Sequence, residues 1–328
     1  MEGFDKSNPY TLQYVAKITL PSSVPQFIEK LRELRQERAL GVDLRGLLVV
    51  GCLCWYTELE AMVKLNNIDY SVLDRPEILM FLFHPRPEWG SPRPGPSSED
   101  VLIQVERDVA VGARFHLAGK EAPNILFFHG NGEIVADYDD IGLLYLEKGI
   151  NFLPVDYRGY GRSSGKPTIT AMMRDCHIIF EYVQGWLKER AHTGAFIVMG
   201  RSLGSASALE LSAHYGDQIA GLIIESGFAY ARPLLQLLGV SMEALGIKEE
   251  QGFRNIDKIS SFDKPTLIIH AENDHLISFS EGQALYDASP AQDKRLLKIP
   301  GANHNDIFLR GMREYMEAVK GFVEALFV

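Results

Sequence analysis

From residue 99 onward, short apolar runs alternate with longer segments in which apolar residues recur at helical spacing. The short runs are typical of buried strands, and they are Asn124–Phe128, Asn151–Val155, Ala195–Met199, Gly221–Ile224, Thr266–His270 and Arg295–Ile299. The helical segments are Ile141–Lys148, Ile169–Lys188, Ser205–His214, Ser280–Ala288 and Met312–Phe327. Ahead of them, Val101–Val105 and Val109–Leu117 alternate apolar and polar residues around a charged turn, which predicts an antiparallel hairpin. This order predicts an α/β fold whose sheet is mostly parallel, doubly wound and covered on both faces.

One interval breaks the alternation of strands and helices. Tyr230–Phe262 contains helical pieces of its own, and it predicts a cap insertion at about residues 230–262, over the carboxyl edge of the sheet. Open α/β sheets bind ligands at that edge. Within the insertion, the apolar stretch Leu234–Leu238 either lines an acyl pocket or belongs to a packed helix over Pro233–Leu245.

The first 98 residues show a different sequence pattern from the rest of the chain. Ser23–Leu40 and Leu47–Asn66 carry helical periodicity, and Pro85–Pro96 is rich in proline and glycine, as irregular linkers are. We therefore predict an N-terminal helical extension and linker over residues 1–98, which packs on the sheet or extends the lid, and a catalytic domain over residues 99–328.

Composition narrows the possible partners and location. A formal net charge of −10 without a basic cluster argues against a nucleic-acid partner. The acidic N-terminus does not resemble a signal peptide, and the longest apolar stretch, Leu47–Tyr56, is too short to span a bilayer. The three cysteines, Cys52, Cys54 and Cys176, predict reduced buried thiols rather than a disulfide framework. We expect a cytoplasmic protein without a transmembrane segment, whose oligomeric state these patterns leave open.

The strongest chemical motif is Gly200-Arg201-Ser202-Leu203-Gly204, between a predicted strand and a predicted helix. This G-x-S-x-G pattern is a nucleophile elbow, in which small flanking residues let helix and strand pass closely while the serine sits on a strained turn. We predict that Ser202 is the nucleophile.

A serine hydroxyl needs a general base, and the base needs a group that orients it. His304 lies on the loop after the last predicted strand, which makes it the expected base. Asp274 follows the penultimate strand and is the expected acid, with Glu272 on the same loop as its main rival and Glu225, after an earlier strand, as another.

An oxyanion hole requires two backbone donors. The elbow places the N–H of Leu203, and the loop His129-Gly130-Asn131-Gly132-Glu133 should supply the second, for which Asn131 is preferred and Gly132 comes next. His129 is expected to anchor this loop. Gly132, Glu133 and, near the insertion, Phe228 are candidate substrate contacts; for Glu133, capping of the following helix is the favoured alternative.

Two further stretches have structural interpretations. The segment Asp156–Gly165 resembles a phosphate loop, but it lacks the glycine and lysine spacing of one and is expected to be a turn after a strand. The acidic run Asp137–Asp140 is explained by the preference for carboxylates near a helix N-terminus. We predict no metal and no cofactor.

Five motifs in family order make residues 99–328 resemble the α/β-hydrolase superfamily: HGNGE, DYRGYGRSSG, GRSLG, HAENDHLI and GANHND. Within it the chain is most similar to the HGN-type subgroup of ABHD-like serine hydrolases, which includes protein depalmitoylases. The resemblance implies the α/β-hydrolase fold and the roles given above for Ser202, Asp274, His304, Leu203 and Asn131. The chain departs from the depalmitoylases in lacking an N-terminal cysteine cluster, so membrane-anchored deacylation is not expected.

These residues together predict a serine hydrolase of esterase or thioesterase type that acts on a small or acyl substrate through an acyl-enzyme intermediate. A peptidase or a cofactor-free perhydrolase could use the same triad, and a non-catalytic binding protein is the alternative outside enzymes. The acyl chain length and the leaving group are not encoded in these patterns.

Overall fold

The computed structural model describes residue 65, residues 68–89, residue 95 and residues 97–326. The chain divides into two compact units, residues 1–59 and 60–328, and every described residue belongs to the second unit. The helices predicted over Ser23–Leu40 and Leu47–Asn66 therefore lie outside the described residues, apart from Leu65.

One eight-stranded sheet organises the described unit. Its strands are β1 Ser98–Glu106, β2 Val109–His116, β3 Asn124–Phe128, β4 Asn151–Val155, β5 Phe196–Arg201, β6 Gly221–Glu225, β7 Thr266–Ala271 and β8 Lys294–Ile299. They lie in the order β1-β2-β4-β3-β5-β6-β7-β8. The first hairpin is antiparallel, as is the pairing of β2 with β4, and all other pairings are parallel. The predicted mostly parallel α/β sheet with its antiparallel leading hairpin is confirmed.

The α-helices cover both faces of this sheet. They are α1 Pro76–Leu82, α2 Asp139–Glu147, α3 Ile169–Glu189, α4 Gly204–Tyr215, α5 Ala231–Leu237, α6 Asn255–Ser260, α7 Phe279–Ala288 and α8 Ile307–Ala325. Alternate strand residues point to opposite sides, so Leu126 and Phe128 join the core beneath α3 and α4, whereas Ile125 and Phe127 join the core beneath α2 and α8. Each face of the sheet thus has its own apolar core.

The last helix differs from its prediction at its start. It begins at Ile307 instead of Met312, and its backbone departs from helical angles at Gly311. A Cβ on Gly311 would lie 2.5 Å from the Ile299 side chain, so the glycine permits close contact with β8. This local break divides the apolar periodicity, which is why the pattern located only the second part of the helix.

The segment before the sheet contributes to the main core. Leu73, Ile78 and Leu82 are buried there, and Tyr70 donates its hydroxyl to Glu210 on α4 at 2.5 Å. The beginning of the proline-rich segment pairs with a loop after β4, because Gly161 donates to the Arg86 carbonyl at 2.9 Å. The residues just before the predicted catalytic domain therefore pack on it.

The predicted insertion contains α5, a 3-10 helix at Glu249–Gln251 and α6. Its entrance is held by a carboxylate, since Glu249 accepts hydrogen bonds from the backbone amides of Ala231 and Arg232 at 2.6 and 3.0 Å. Leu235 is buried in the core and Leu237 is half exposed, so the apolar stretch packs with one side and leaves the other open.

None of the helices among the described residues is both long enough and apolar enough to cross a membrane.

Candidate active site

The turn between β5 and α4 has the geometry of a nucleophile elbow. Ser202 adopts φ +50°, in the left-handed region that costs an L-residue about 1–2 kcal/mol. A Cβ on Gly200 would lie 2.3 Å from the Gly204 carbonyl oxygen, and a Cβ on Gly204 would lie 2.1 Å from the Phe128 carbonyl oxygen. The two glycines are therefore required by close backbone contacts, and the strained turn directs Ser202 out of the sheet edge.

The three residues predicted for the triad come together at this edge. The Ser202 hydroxyl donates to Nε2 of His304 at 3.0 Å, and Nδ1 of His304 lies 2.7 Å from Oδ2 of Asp274. Because an ionised carboxylate only accepts, Nδ1 carries the proton and Nε2 presents its lone pair to the serine. This is the tautomer that a general base requires.

The surroundings of Asp274 keep its carboxylate ionised. Burial alone would raise the pKa of this carboxyl, but the hydrogen bond and charge of His304 and the amides of Ile277 and Leu276 together lower it. Both amides donate to Oδ1, at 2.8 and 3.0 Å, so Oδ2 remains for the imidazole.

The two rival acids have other partners. Glu272 accepts from the backbone of Gly301 and pairs with Lys298 on the exterior. Glu225 lies buried between Arg201 and Tyr315. Of the three candidate acids, the structure places Asp274 against the imidazole.

The backbone amides of Leu203 and Asn131 are available as donors. Across the described part of the chain, neither amide donates to another protein group. The Asn131 side chain has other partners: its oxygen accepts from Tyr160 and from the His84 amide at 2.7 and 2.8 Å, and its nitrogen lies 2.8 Å from Nδ1 of His84. These contacts fix the loop after β3 through the side chain while the amide stays free.

The turn after β4 also supports this loop. Tyr157 donates to the His129 carbonyl at 2.7 Å, and Asp156 accepts from the Val135 amide at 2.9 Å. The His129 ring is fully buried, with Nδ1 2.7 Å from the Gly130 carbonyl. His129 thus lies within the loop support and away from the Ser202–His304 pair.

The candidate substrate contacts Gly132 and Phe228 differ in how much open space surrounds them. Gly132 has φ +77° with open space beside it, and its carbonyl accepts from Arg86 at 2.7 Å. Phe228 is only 1% exposed and packs edge-to-face on Phe253, so the structure places it in the apolar core beside the insertion. Its position next to the insertion suggested the substrate role, and periodicity could not show which way the ring points.

Glu133 neither caps the following helix nor presents a free carboxylate to a substrate. It accepts from the Gly130 amide and the Tyr138 hydroxyl through Oε2, at 2.7 and 2.5 Å, and from Arg201 through Oε1 at 2.8 Å. Burial opposes its ionisation, but the charge of Arg201 and these hydrogen bonds prevail and lower the pKa of Glu133 to about 2. Glu133 closes the loop after β3 on itself and joins it to the elbow.

Arg201 is a site residue that the sequence reasoning missed. It occupies the variable position before the nucleophile, where the G-x-S-x-G pattern specifies nothing, and its guanidinium reaches Glu133, Glu225 and the His304 carbonyl. The available hint was a charged residue two positions after a predicted buried strand.

Metal ligation has one candidate within the described ranges, the group formed by His177, Glu210 and His214 on α3 and α4. Glu210 already pairs with the buried ammonium of Lys258 at 2.7 Å and accepts from Tyr70. Nδ1 of His214 donates to the Glu210 carbonyl at 3.0 Å, which leaves that nitrogen without a lone pair for a metal. The cluster is explained by its own hydrogen bonds.

The acidic run predicted over Asp137–Asp140 contacts basic side chains: Asp137 pairs with Arg86 and Asp139 pairs with Arg114.

A doubly wound sheet with a serine on a strand–helix elbow and a histidine after the last strand defines the α/β-hydrolase class. Two solved structures share this fold: an esterase from Pyrococcus furiosus has a TM-score of 0.60 at 20% identity and covers 74% of this chain and 98% of its own. Est1E from Butyrivibrio proteoclasticus, with bound ferulic acid, has a TM-score of 0.58 at 20% identity, with coverage of 69% and 99%.

Sequence comparison narrows the class. Alpha/beta hydrolase domain-containing protein 17B of Xenopus tropicalis is 31% identical over 251 residues, which are 73% of this chain and 80% of that protein. The human protein of the same name is 34% identical over 210 residues, 61% of this chain, and the match spans 65% of its length, just under two thirds. A family model described as "Serine aminopeptidase, S33" matches residues 119–250, which include the elbow and end before Asp274. The chain belongs to the α/β-hydrolase superfamily, as a member of the ABHD type.

Proposed function

We propose that the protein is a serine hydrolase that cleaves carboxylic ester or thioester bonds of a small or acyl substrate. The observation that carries the proposal is the hydrogen-bonded chain from Ser202 through His304 to Asp274, with distances of 3.0 and 2.7 Å. A serine is activated in this way by a base that is itself oriented by a third group.

In the proposed reaction, Ser202 Oγ attacks the substrate carbonyl carbon while Nε2 of His304 takes the hydroxyl proton. The tetrahedral oxyanion receives hydrogen bonds from the backbone amides of Leu203 and Asn131. The imidazolium, stabilised by Asp274, then gives its proton to the departing alcohol or thiol. Water attacks the acyl-enzyme by the same steps and releases the carboxylic acid.

Hydrolysis of peptides is the second candidate, because the matched family model bears an aminopeptidase description. An aminopeptidase needs a carboxylate free to bind the substrate ammonium. Glu133, the carboxylate in the proposed oxyanion loop, is already bound to Arg201, Tyr138 and the Gly130 amide. This favours ester and thioester substrates over peptides with a free amino terminus.

The test is labelling of the full chain with a fluorophosphonate probe, beside Ser202→Ala and a matched control, Ser207→Ala, whose hydroxyl is buried within α4. We expect labelling of the wild type and the control and none of Ser202→Ala. p-Nitrophenyl esters of increasing acyl length, their thioester counterparts and aminoacyl p-nitroanilides then define the bond and the chain length. Well-folded wild type that does not label would refute the activated serine and favour a binding protein.

A further inference from the structure

The guanidinium of Arg201 makes one hydrogen bond to each of three separate segments. Its Nε donates to Glu133 at 2.8 Å, Nη1 donates to Glu225 at 2.6 Å, and Nη2 donates to the main-chain carbonyl of His304 at 3.0 Å. Glu133 follows β3, Glu225 ends β6 and His304 follows β8. Arg201 itself ends β5 immediately before the proposed nucleophile. One side chain therefore joins the elbow to the proposed oxyanion loop and to the loop of the proposed base.

The acidic partners extend this connection. Glu133 also accepts from the Gly130 amide at 2.7 Å, so its link to Arg201 fixes the loop that carries Asn131. Glu225 also accepts from the Tyr315 hydroxyl at 2.7 Å, and Tyr315 lies on α8, the helix that follows the His304 loop. Movement of either loop would break a charge-assisted hydrogen bond, which is stronger than a neutral one.

Two members of the group are buried, Glu133 is partly exposed with 26% of its side chain accessible, and the three charges depend on one another. Arg201 is only 7% exposed and Glu225 only 5%. Burial alone would lower the pKa of the arginine, but the charges of Glu133 and Glu225 raise it well above its ordinary value. A buried cation between two carboxylates, with the remaining oxygens satisfied by tyrosines and an amide, has one favourable arrangement because any displacement leaves a buried charge unpaired.

We propose that Arg201 is a positioning residue that holds the oxyanion loop and the His304 loop in register with Ser202. This inference rests on the proposed function. The planar guanidinium directs its donors along fixed, diverging directions, whereas a lysine ammonium is a single nitrogen that cannot reach all three acceptors. The residue touches neither the reacting atoms nor the imidazole ring; it acts through the backbone of one loop and the carboxylate of the other.

A second buried arginine provides a matched control for the loss of an ion network. Arg114 on β2 is 1% exposed and pairs with Asp100, Asp139 and Glu88. Its carboxylate partners lie outside the proposed active site. Arg114→Lys should therefore disturb folding stability in the same way as Arg201→Lys without moving either loop.

The experiment compares kcat and KM of Arg201→Lys and Arg114→Lys on one p-nitrophenyl ester. The assay temperature is well below the melting temperature of the less stable variant, and fluorophosphonate titration gives the active fraction of each preparation. A displacement of about 1 Å at reacting groups lowers the rate about 10²-fold. We expect Arg201→Lys to lower kcat between roughly 10- and 100-fold with KM within about threefold of wild type, and Arg114→Lys to keep kcat within about threefold. An unchanged kcat in Arg201→Lys, or an equal loss in both variants, would overturn the positioning role.

If Arg201→Lys does not fold, Glu225→Gln loosens the same guanidinium while leaving both loops chemically intact. A severalfold fall in kcat at constant KM is expected, and an unchanged kcat in this folded variant overturns the inference. The proposed function fails separately, because it requires wild-type labelling that is lost in Ser202→Ala.

Discussion

Replacement of Asp274 by asparagine should reverse the proton arrangement of the proposed catalytic histidine. In the structure, Oδ1 of Asp274 accepts two backbone amides and Oδ2 faces Nδ1 of His304 at 2.7 Å. Asparagine can keep the two amide hydrogen bonds with its carbonyl oxygen, which places its NH2 group against Nδ1. That nitrogen must then accept, and the imidazole proton moves to Nε2, where the Ser202 hydroxyl can no longer transfer its own proton.

The size of the effect follows from the loss of the base in its working tautomer. The equivalent change in a Ser-His-Asp protease lowers kcat by about 10⁴-fold while the geometry is retained. A 10⁴-fold loss corresponds to about 5.4 kcal/mol of transition-state stabilisation. We therefore expect kcat of Asp274→Asn to fall by about 10³- to 10⁴-fold, KM to change little, and the melting temperature to stay near that of wild type.

Hydrolysis of a p-nitrophenyl ester and the rate of fluorophosphonate inactivation measure this loss in parallel. The matched control is Glu272→Gln, on the same loop, whose carboxylate contacts Gly301 and Lys298 on the exterior. It should retain activity within about twofold, since exposed ion pairs contribute little. Full activity of Asp274→Asn, or a large loss in Glu272→Gln, would refute the assignment of the acid.

Three further outcomes are expected. Because the pKa of Glu133 is lowered from 4.5 to about 2, its ionised form stabilises the fold above pH about 4.5. In urea titrations, the difference in unfolding free energy between wild type and Glu133→Gln should therefore shrink as the pH falls from 4.5 towards 2. Gly132→Ala should cost about 1–2 kcal/mol of stability because φ is +77°, whereas Gly119→Ala, also in open space but without a positive φ, should be near neutral in the same titrations. Tyr160→Phe removes a 2.7 Å hydrogen bond to the Asn131 side chain and should lower kcat severalfold at constant KM. A rise in KM as large as the fall in kcat would contradict a role in loop placement.

Much of the sheet was predictable because buried parallel strands consist of continuous apolar runs. β3 and β4 have the predicted bounds, and β6, β7 and β8 differ by one residue at one end. β5 begins one residue later and ends two residues later than predicted. The elbow was equally predictable, because the two glycines around Ser202 reflect a steric requirement. A Cβ at either position would lie within 2.3 Å of a backbone atom. Sequence reasoning succeeds where one residue type is the only solution to a local constraint.

It fails where several residue types satisfy the local pattern and tertiary contacts decide. Glu133 suited a helix cap by its spacing, yet its carboxylate binds Arg201, which lies 68 residues further along the chain. Phe228 suited a pocket wall, yet it packs on Phe253. Arg201 had no pattern to mark it, because its three partners lie at or beyond the ends of three different strands and meet only when the sheet is assembled.

The turn after β4 supports the loop that follows β3. Its sequence resembles a phosphate loop, but in the structure it is a turn that also contacts the loop after β3. Tyr157 holds the His129 carbonyl, and Tyr160 holds the Asn131 side chain, from the same turn. An amide that donates to a transient oxyanion must be in place before the charge forms, since reorganisation during the reaction would cost the energy that catalysis requires. A turn with no reacting group can therefore be as necessary to the proposed chemistry as the residues it supports. Arg201 supports the same loop through its hydrogen bond to Glu133.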